Sequence, residues 1–113
     1  MCDNELVMRG CCPVPEGTPP LEGHDLAHML HHAEGWEIQD GYLTRGFDFE
    51  DHYQTMAFVN AVAWISHRED HHPELVVGYN SCLVKYNTHT VGGLSENDFI
   101  CAARIDALVP GDA

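Results

Sequence analysis

Residues 51–69, DHYQTMAFVNAVAWISHRE, contain no Gly or Pro and are rich in Ala, so the stretch predicts one long central helix. Between Met56 and Ile65 only Asn60 is polar. Such a helix is apolar nearly all round and presents more apolar surface than one sheet face can cover. A neighbouring subunit is the expected second partner. Upstream, WEIQDGYLTRGFDF at 36–49 places Asp40-Gly41 between two alternating runs, a strong hairpin signal. Downstream, ELVVGYNSCLVKYNTH at 74–89 has two β-branched and aromatic runs around Asn80-Ser81, which predicts a second hairpin turning at that pair. In LEGHDLAHMLHHAEG, residues 21–35, Leu26, Met29, Leu30 and Ala33 recur at helical spacing and Gly35 supplies a stop. SENDFICAARIDALV, residues 95–109, reads as a closing helix, with Ser95 and Asp98 spaced as a capping box. The order α-β-β-α-β-β-α predicts an α+β domain: a single four-stranded antiparallel sheet with three helices packed on one face. Residues 1–20 read as an irregular N-terminal arm and residues 21–113 as the domain.

Five Lys plus Arg against eighteen Asp plus Glu give the 113-residue chain a formal charge of −13. That charge repels phosphate backbones and anionic bilayers, so no direct nucleic-acid or membrane partner is expected. No stretch approaches the ~20 apolar residues of a bilayer span, and the first twenty residues carry early acids and no apolar h-region. A cytoplasmic location follows as an expectation. Cys2, Cys11, Cys12, Cys82 and Cys101 are odd in number and form no CxxC, which predicts free thiols rather than a disulfide framework or zinc ribbon.

Nine histidines are unusual for this length. His24, His28, His31 and His32 fall at helical spacing and read as a polar helix face, although His28 and His32 could grip a metal. His71 and His72 stand in DHHPE, between the central helix and the second hairpin. Adjacent strand residues point to opposite faces, so the pair belongs to an irregular turn, with Pro73 ending the helix and starting an extended segment. A tight turn at Asn80-Ser81 would set His89 opposite His72 and gather three imidazoles at one end of the sheet. Three histidines can bind zinc, yet no HExxH occurs, and proton transfer near neutral pH, tuned by Asp70 and Glu74, is the alternative.

EDHHPELVVGYNSCLVKYNTHTVGGLSENDF, residues 69–99, resembles the signature of pterin-4a-carbinolamine dehydratases: His71-His72-Pro73, Tyr79-Asn80, Thr88-His89, then Gly93-Leu94-Ser95 and Asp98. GWEIQDGYLTRGFDFEDH, residues 35–52, resembles the same family, so the likeness runs over about residues 21–109. It implies a cytoplasmic enzyme that removes water from 4a-hydroxytetrahydropterin to give quinonoid dihydropterin, in tetrahydropterin recycling after aromatic amino-acid hydroxylation. His71, His72 and His89 would be its acid/base groups, with His72 and His89 nearest C4a and His71 assisting. Asp70, Asn87, Thr88, Thr90 and Trp36 would line the pterin, and Pro73, Asp98 and His67 would support the site. No metal or redox cofactor is implied. The implied assembly is a homodimer or homotetramer, with an aromatic amino-acid hydroxylase in the same pathway as a further partner.

Two positions depart from the family pattern. His67 stands where a Glu is usual, one helical turn before His71, which predicts a shifted pH optimum and weaker activity. Asn87 replaces Ser or Thr before Thr88-His89. The competing expectations are a pterin-binding protein without turnover and a coactivator module that stabilises dimers of a transcription factor, for which the apolar central helix would supply the surface.

Overall fold

The computed structural model describes Cys11 and residues 14–109. Its elements run α1 (Gly23–His31), β1 (Glu37–Gln39), β2 (Tyr42–Asp48), α2 (His52–Glu69), β3 (Glu74–Val77), β4 (Ser81–Tyr86), a 3-10 turn (His89–Val91) and α3 (Glu96–Asp106). The four strands form one antiparallel sheet, as expected, and the two hairpins are joined through β2 and β4 in the order β1-β2-β4-β3. The fold is α+β, with the helices covering one sheet face.

The first hairpin turns at Asp40-Gly41, whose positive φ values of 51° and 81° match the right-handed twist of the flanking strands. The second turns one residue earlier than the sequence suggests. Gly78 N–H donates to Ser81 O at 2.8 Å, so Tyr79 and Asn80 form the loop and Ser81 already belongs to β4. The loop is anchored from outside the hairpin. The Tyr79 carbonyl accepts from Thr55 Oγ1 at 3.0 Å, its ring stacks on His52, and the Asn80 carbonyl accepts from Phe49 N–H at 2.8 Å. Extending the register of Val77 with Cys82 sets position 72 level with Asn87, two residues short of His89. The expected pairing of His72 with His89 is therefore corrected.

On β4 the inward residues Cys82, Val84 and Tyr86 are buried while Ser81, Leu83 and Lys85 are half-buried, the alternation of a sheet covered on one side. α2 lays Thr55, Phe58, Val62, Ile65 and Ser66 against that face and α3 adds Phe99, Cys101, Ala102 and Ile105. The opposite side of α2 is left open: Tyr53 is 86% and Trp64 62% exposed. His24, His28, His31 and His32 occupy exposed positions on and just after α1, which buries no residue of its own. Among the described residues, no helix is long and apolar enough to cross a membrane.

Trp36 is a core residue. Its ring packs edge-on to Phe47, and its indole N–H reaches both carboxylate oxygens of Asp106 at 3.0 Å. Arg45, on β2, adds an ion pair to Asp106 at 2.8 Å. Gly35 makes room for that arginine, since at its φ of +92° an added Cβ would stand 3.1 Å from the guanidinium carbon.

Burial pushes the Asp106 carboxyl above its ordinary pKa, against the opposing pull of Trp36 and Arg45. Its contribution to stability is therefore full below the ordinary carboxylate range and is lost as pH rises through the elevated folded value. The Trp36 indole N–H resonance should report this titration, with a midpoint above the usual aspartate value of about 3.9. A midpoint at or below that value would contradict the packing described.

Candidate active site

α2 ends at a residue in the left-handed region. Asp70 has φ 56° and ψ 44°, a conformation that Asp tolerates better than most side chains. Asp70 N–H donates to His67 O and His71 N–H to Ser66 O at 3.1 Å, which closes the helix and swings His71 back toward the domain. Pro73 then leads into β3 without continuing the helix.

The His71 ring lies flat on Tyr86, with centroids 5.4 Å apart and planes 9° from parallel. Its Nε2 is 2.6 Å from Asp98 Oδ1. Asp98 has no solvent exposure. A carboxylate in that position needs its lone pairs filled, and the second oxygen accepts from Thr88 Oγ1 at 2.8 Å and from Ser95 N–H at 2.9 Å. With the Thr88 proton spent on Asp98, the Ser95 hydroxyl, 2.7 Å away, donates to Thr88 Oγ1 and accepts from Asn97 N–H in turn. Asp98 thus completes the capping box of α3 and fixes the imidazole with the same carboxylate. Burial drives the Tyr86 hydroxyl upward, so it stays protonated against Ser66 Oγ.

His71 borders a cavity of about 360 Å³, with Asp70, Thr88, Thr90, Glu69 and Asn97 among its walls and Cys11 and Val14 closing it from the arm. With Nε2–H directed at Asp98, the neutral ring keeps its lone pair on Nδ1 for a ligand. Such a group can take a proton and return it.

Of the residues singled out from sequence, His71, Asp70, Thr88 and Thr90 come together here, with Asp98 behind them. His72 is exposed and opens onto a neighbouring cavity of about 300 Å³ shared with His67, Ser66 and Pro73. His89 is exposed on the 3-10 turn, and neither cavity includes it. Asn87 points elsewhere, donating from Nδ2 to Gly41 O at 3.0 Å. Trp36 lies in the core, bonded to Asp106, and lines neither cavity. Sequence reasoning missed Tyr86, the arm residues and Glu69. Tyr86 had a signal: it continues the inward alternation of Cys82 and Val84, which predicts a buried hydroxyl needing a partner. Among the described residues, no group of three or more His, Cys, Asp or Glu could hold a metal ion.

The family model for pterin 4 alpha carbinolamine dehydratase matches residues 19–108. The chain belongs to that family. A relative from Nitrosomonas eutropha, provisionally named pterin-4-alpha-carbinolamine dehydratase, is 54% identical over 110 residues, covering 96% of each chain. One of the same provisional name from Bdellovibrio bacteriovorus is 50% identical over 96% of this chain and 91% of its own. Among solved structures, a transcriptional coactivator/pterin dehydratase from Brucella melitensis superposes with a TM-score of 0.77 at 29% identity, covering 80% of this chain and 99% of that one. A pterin dehydratase-like protein described as a RuBisCO assembly factor in the alpha-carboxysome gives 0.58 at 32% identity, over 69% and 93%. The match to the dehydratase family model takes in His71, Thr88 and Asp98, and its first residue, Pro19, lies eight residues beyond Cys11.

Removing the Asp98 carboxylate would strand three donors in a buried place. Asp98→Ala should lower the urea-unfolding free energy by about 3 kcal/mol, from the lost cap and the broken buried pair together. Asp98→Asn keeps an acceptor for Thr88 and Ser95 and should cost clearly less. Equal losses in the two variants would argue against the accounting above.

Proposed function

We propose that this chain dehydrates a 4a-hydroxytetrahydropterin to the quinonoid dihydropterin, in tetrahydropterin recycling after aromatic amino-acid hydroxylation. The observation that carries the reading is an imidazole, His71, pinned by a fully buried carboxylate at the wall of a cavity, in a chain of the dehydratase family.

The C4a hydroxyl is a poor leaving group and must gain a proton as it departs. N5–H must lose one, so that its electrons form the C4a=N5 bond while the C–O bond breaks and water leaves. One base and one acid balance the reaction. His71 Nδ1 is the group the geometry favours for one of these transfers, with Asp98 holding the tautomer and Thr88 and Ser95 holding Asp98. Thr90 and Asp70 offer polar edges to the pterin ring from the same cavity. Neither His89 nor His72 lines the His71 cavity, and the complementary proton is assigned to these two as the remaining acid/base candidates, His89 from the turn that carries Thr90. His67 shares the cavity onto which His72 opens.

A second reading rests on a different feature, the open side of α2. Tyr53, Met56 and Trp64 leave an apolar stripe that suits self-assembly as a homodimer or homotetramer, or the docking of another protein. The Brucella coactivator/dehydratase and the carboxysome assembly factor make a binding role for the fold worth testing beside catalysis. A cytoplasmic setting belongs to the same proposal, in keeping with the free thiols of Cys82 and Cys101.

Stopped-flow turnover of 4a-hydroxytetrahydropterin tests the enzyme reading, and rates no faster than the buffer reaction would remove it. His71→Ala should lower kcat by about 10²–10⁴-fold. Asp98→Asn should fall by a comparable factor, because its amide N–H₂ facing Nε2 forces the proton onto Nδ1. Equal small losses at His71, His72 and His89 would contradict the assigned roles.

Light scattering tests the assembly. The wild-type chain should sediment and scatter as a multiple of its 12.6 kDa mass, and Trp64→Glu should shift it toward the monomer without unfolding it. A wild-type monomer at every concentration would leave the α2 stripe without a self-assembly role.

A further inference from the structure

We propose that Cys11 and Cys101 form a reversible disulfide that fastens the N-terminal arm to α3 beside the His71 cavity and makes access to that cavity respond to oxidant. The two sulfurs stand 3.6 Å apart, although the residues are 90 positions apart in the chain. A disulfide needs about 2.05 Å between sulfurs, so the two side chains must move together to form it. Cys11 is held in place independently of its sulfur. Its backbone N–H donates to Glu69 Oε1 at 2.8 Å, and Glu69 in turn lies 3.4 Å from Arg104 Nε, with only 6% of its side chain exposed. The arm residue is thereby fixed between the end of α2 and the second turn of α3.

The same residue forms part of the cavity. Cys11 and Val14 line it together with His71, Thr88 and Thr90. Farther along, the arm is joined to the domain where Leu21 N–H donates to Leu94 O at 2.8 Å and where Pro20 sits over Gly93. A covalent bond at Cys11 would tether the arm at both ends of its described length. Without it, Cys11 is held by one backbone hydrogen bond to Glu69 and by two contacts of its thiol, to Cys101 Sγ and to the Asn97 carbonyl.

The two thiols divide the chemistry. Cys101 is completely buried, and its contact with the Cys11 thiol, followed by burial, pushes its pKa up, so it does not meet an oxidant first. Cys11 is half-buried at the cavity edge. With hydrogen peroxide as the two-electron oxidant, the Cys11 sulfur attacks one oxygen, the O–O bond breaks, and water leaves behind a sulfenic acid. The Cys101 sulfur then attacks the Cys11 sulfur, the S–O bond breaks, and the departing hydroxide takes the Cys101 proton as a second water. Two thiols and one peroxide give one disulfide and two waters. A dithiol reverses the step by exchange.

The cavity's occupant is taken from the proposed function, but the disulfide is tested without it. The full chain, reduced and then treated with hydrogen peroxide, should yield a Cys11–Cys101 cross-linked peptide by non-reducing mass mapping. Tm should rise by at least about 5 °C, because the bond closes a long loop of the unfolded chain. Modification of His71 by diethyl pyrocarbonate should slow several-fold after oxidation and recover with dithiothreitol. Cys11→Ser should abolish the cross-link, the Tm rise and the slowing together, while folding as the reduced wild type does. A cross-link through Cys12, a bond between two chains, or a Cys11–Cys101 bond that leaves His71 modification unchanged would overturn the proposal. Loss of dehydratase turnover in both redox states would overturn the functional reading and leave this one standing.

Discussion

A carboxylate with no exposure to solvent is the costliest feature of this domain, and its satisfaction organises one whole end of it. Asp98 sits in the first turn of α3 and draws its partners from three other places: Thr88 after β4, Ser95 at the helix cap and His71 after α2. None of these segments is regular structure where it makes the bond. Their backbones are instead set by what the carboxylate requires, since an unfilled lone pair there would cost more than most single contacts supply. The imidazole that borders the cavity is therefore positioned by the same interaction that starts α3, and chemistry and folding share an anchor.

The central helix meets a different constraint. Its inward stripe, from Thr55 through Phe58 and Val62 to Ile65, is filled by the sheet and α3. Its outward residues Tyr53, Met56 and Trp64 are exposed, with the Arg68 guanidinium 5.4 Å over the Trp64 ring. A helix with two apolar sides in a small domain is economical only if both sides are used. The site and the open stripe lie on one element, the first at its C-terminal end and the second along its back.

Much of this could be read from the residues. Asp40-Gly41 fixed the first hairpin because few pairs accept two positive φ values, and Ser95 with Asp98 marked the start of α3 by spacing alone. The second hairpin was harder, because Gly78, Tyr79, Asn80 and Ser81 all suit a turn. The choice among them is made by α2 and by Phe49, which hold the carbonyls of Tyr79 and Asn80, and such long-range bonds leave no local trace. One misplaced turn residue moved the expected partner of His72 by two positions. The site was legible in part for the same reason. Asp70 with His71, and Thr88 with Thr90, are near neighbours in the chain and are joined to each other through Asp98, whereas Cys11 and Val14 reach the cavity from the other end of the sequence.

Asp70 illustrates how a single residue can serve two masters. Its acidic side chain invites a reading in terms of ligands, yet its backbone occupies a region of dihedral space that only a small alphabet of side chains enters cheaply: Gly, Asn and Asp. Any attempt to probe its charge by mutation must stay inside that alphabet. A swap to Ala or Glu would strain the bend that turns His71 inward, and the resulting defect would masquerade as a lost contact with substrate. Asn and Gly both silence the charge and leave the path of the chain alone, and Asn also keeps the size of the side chain.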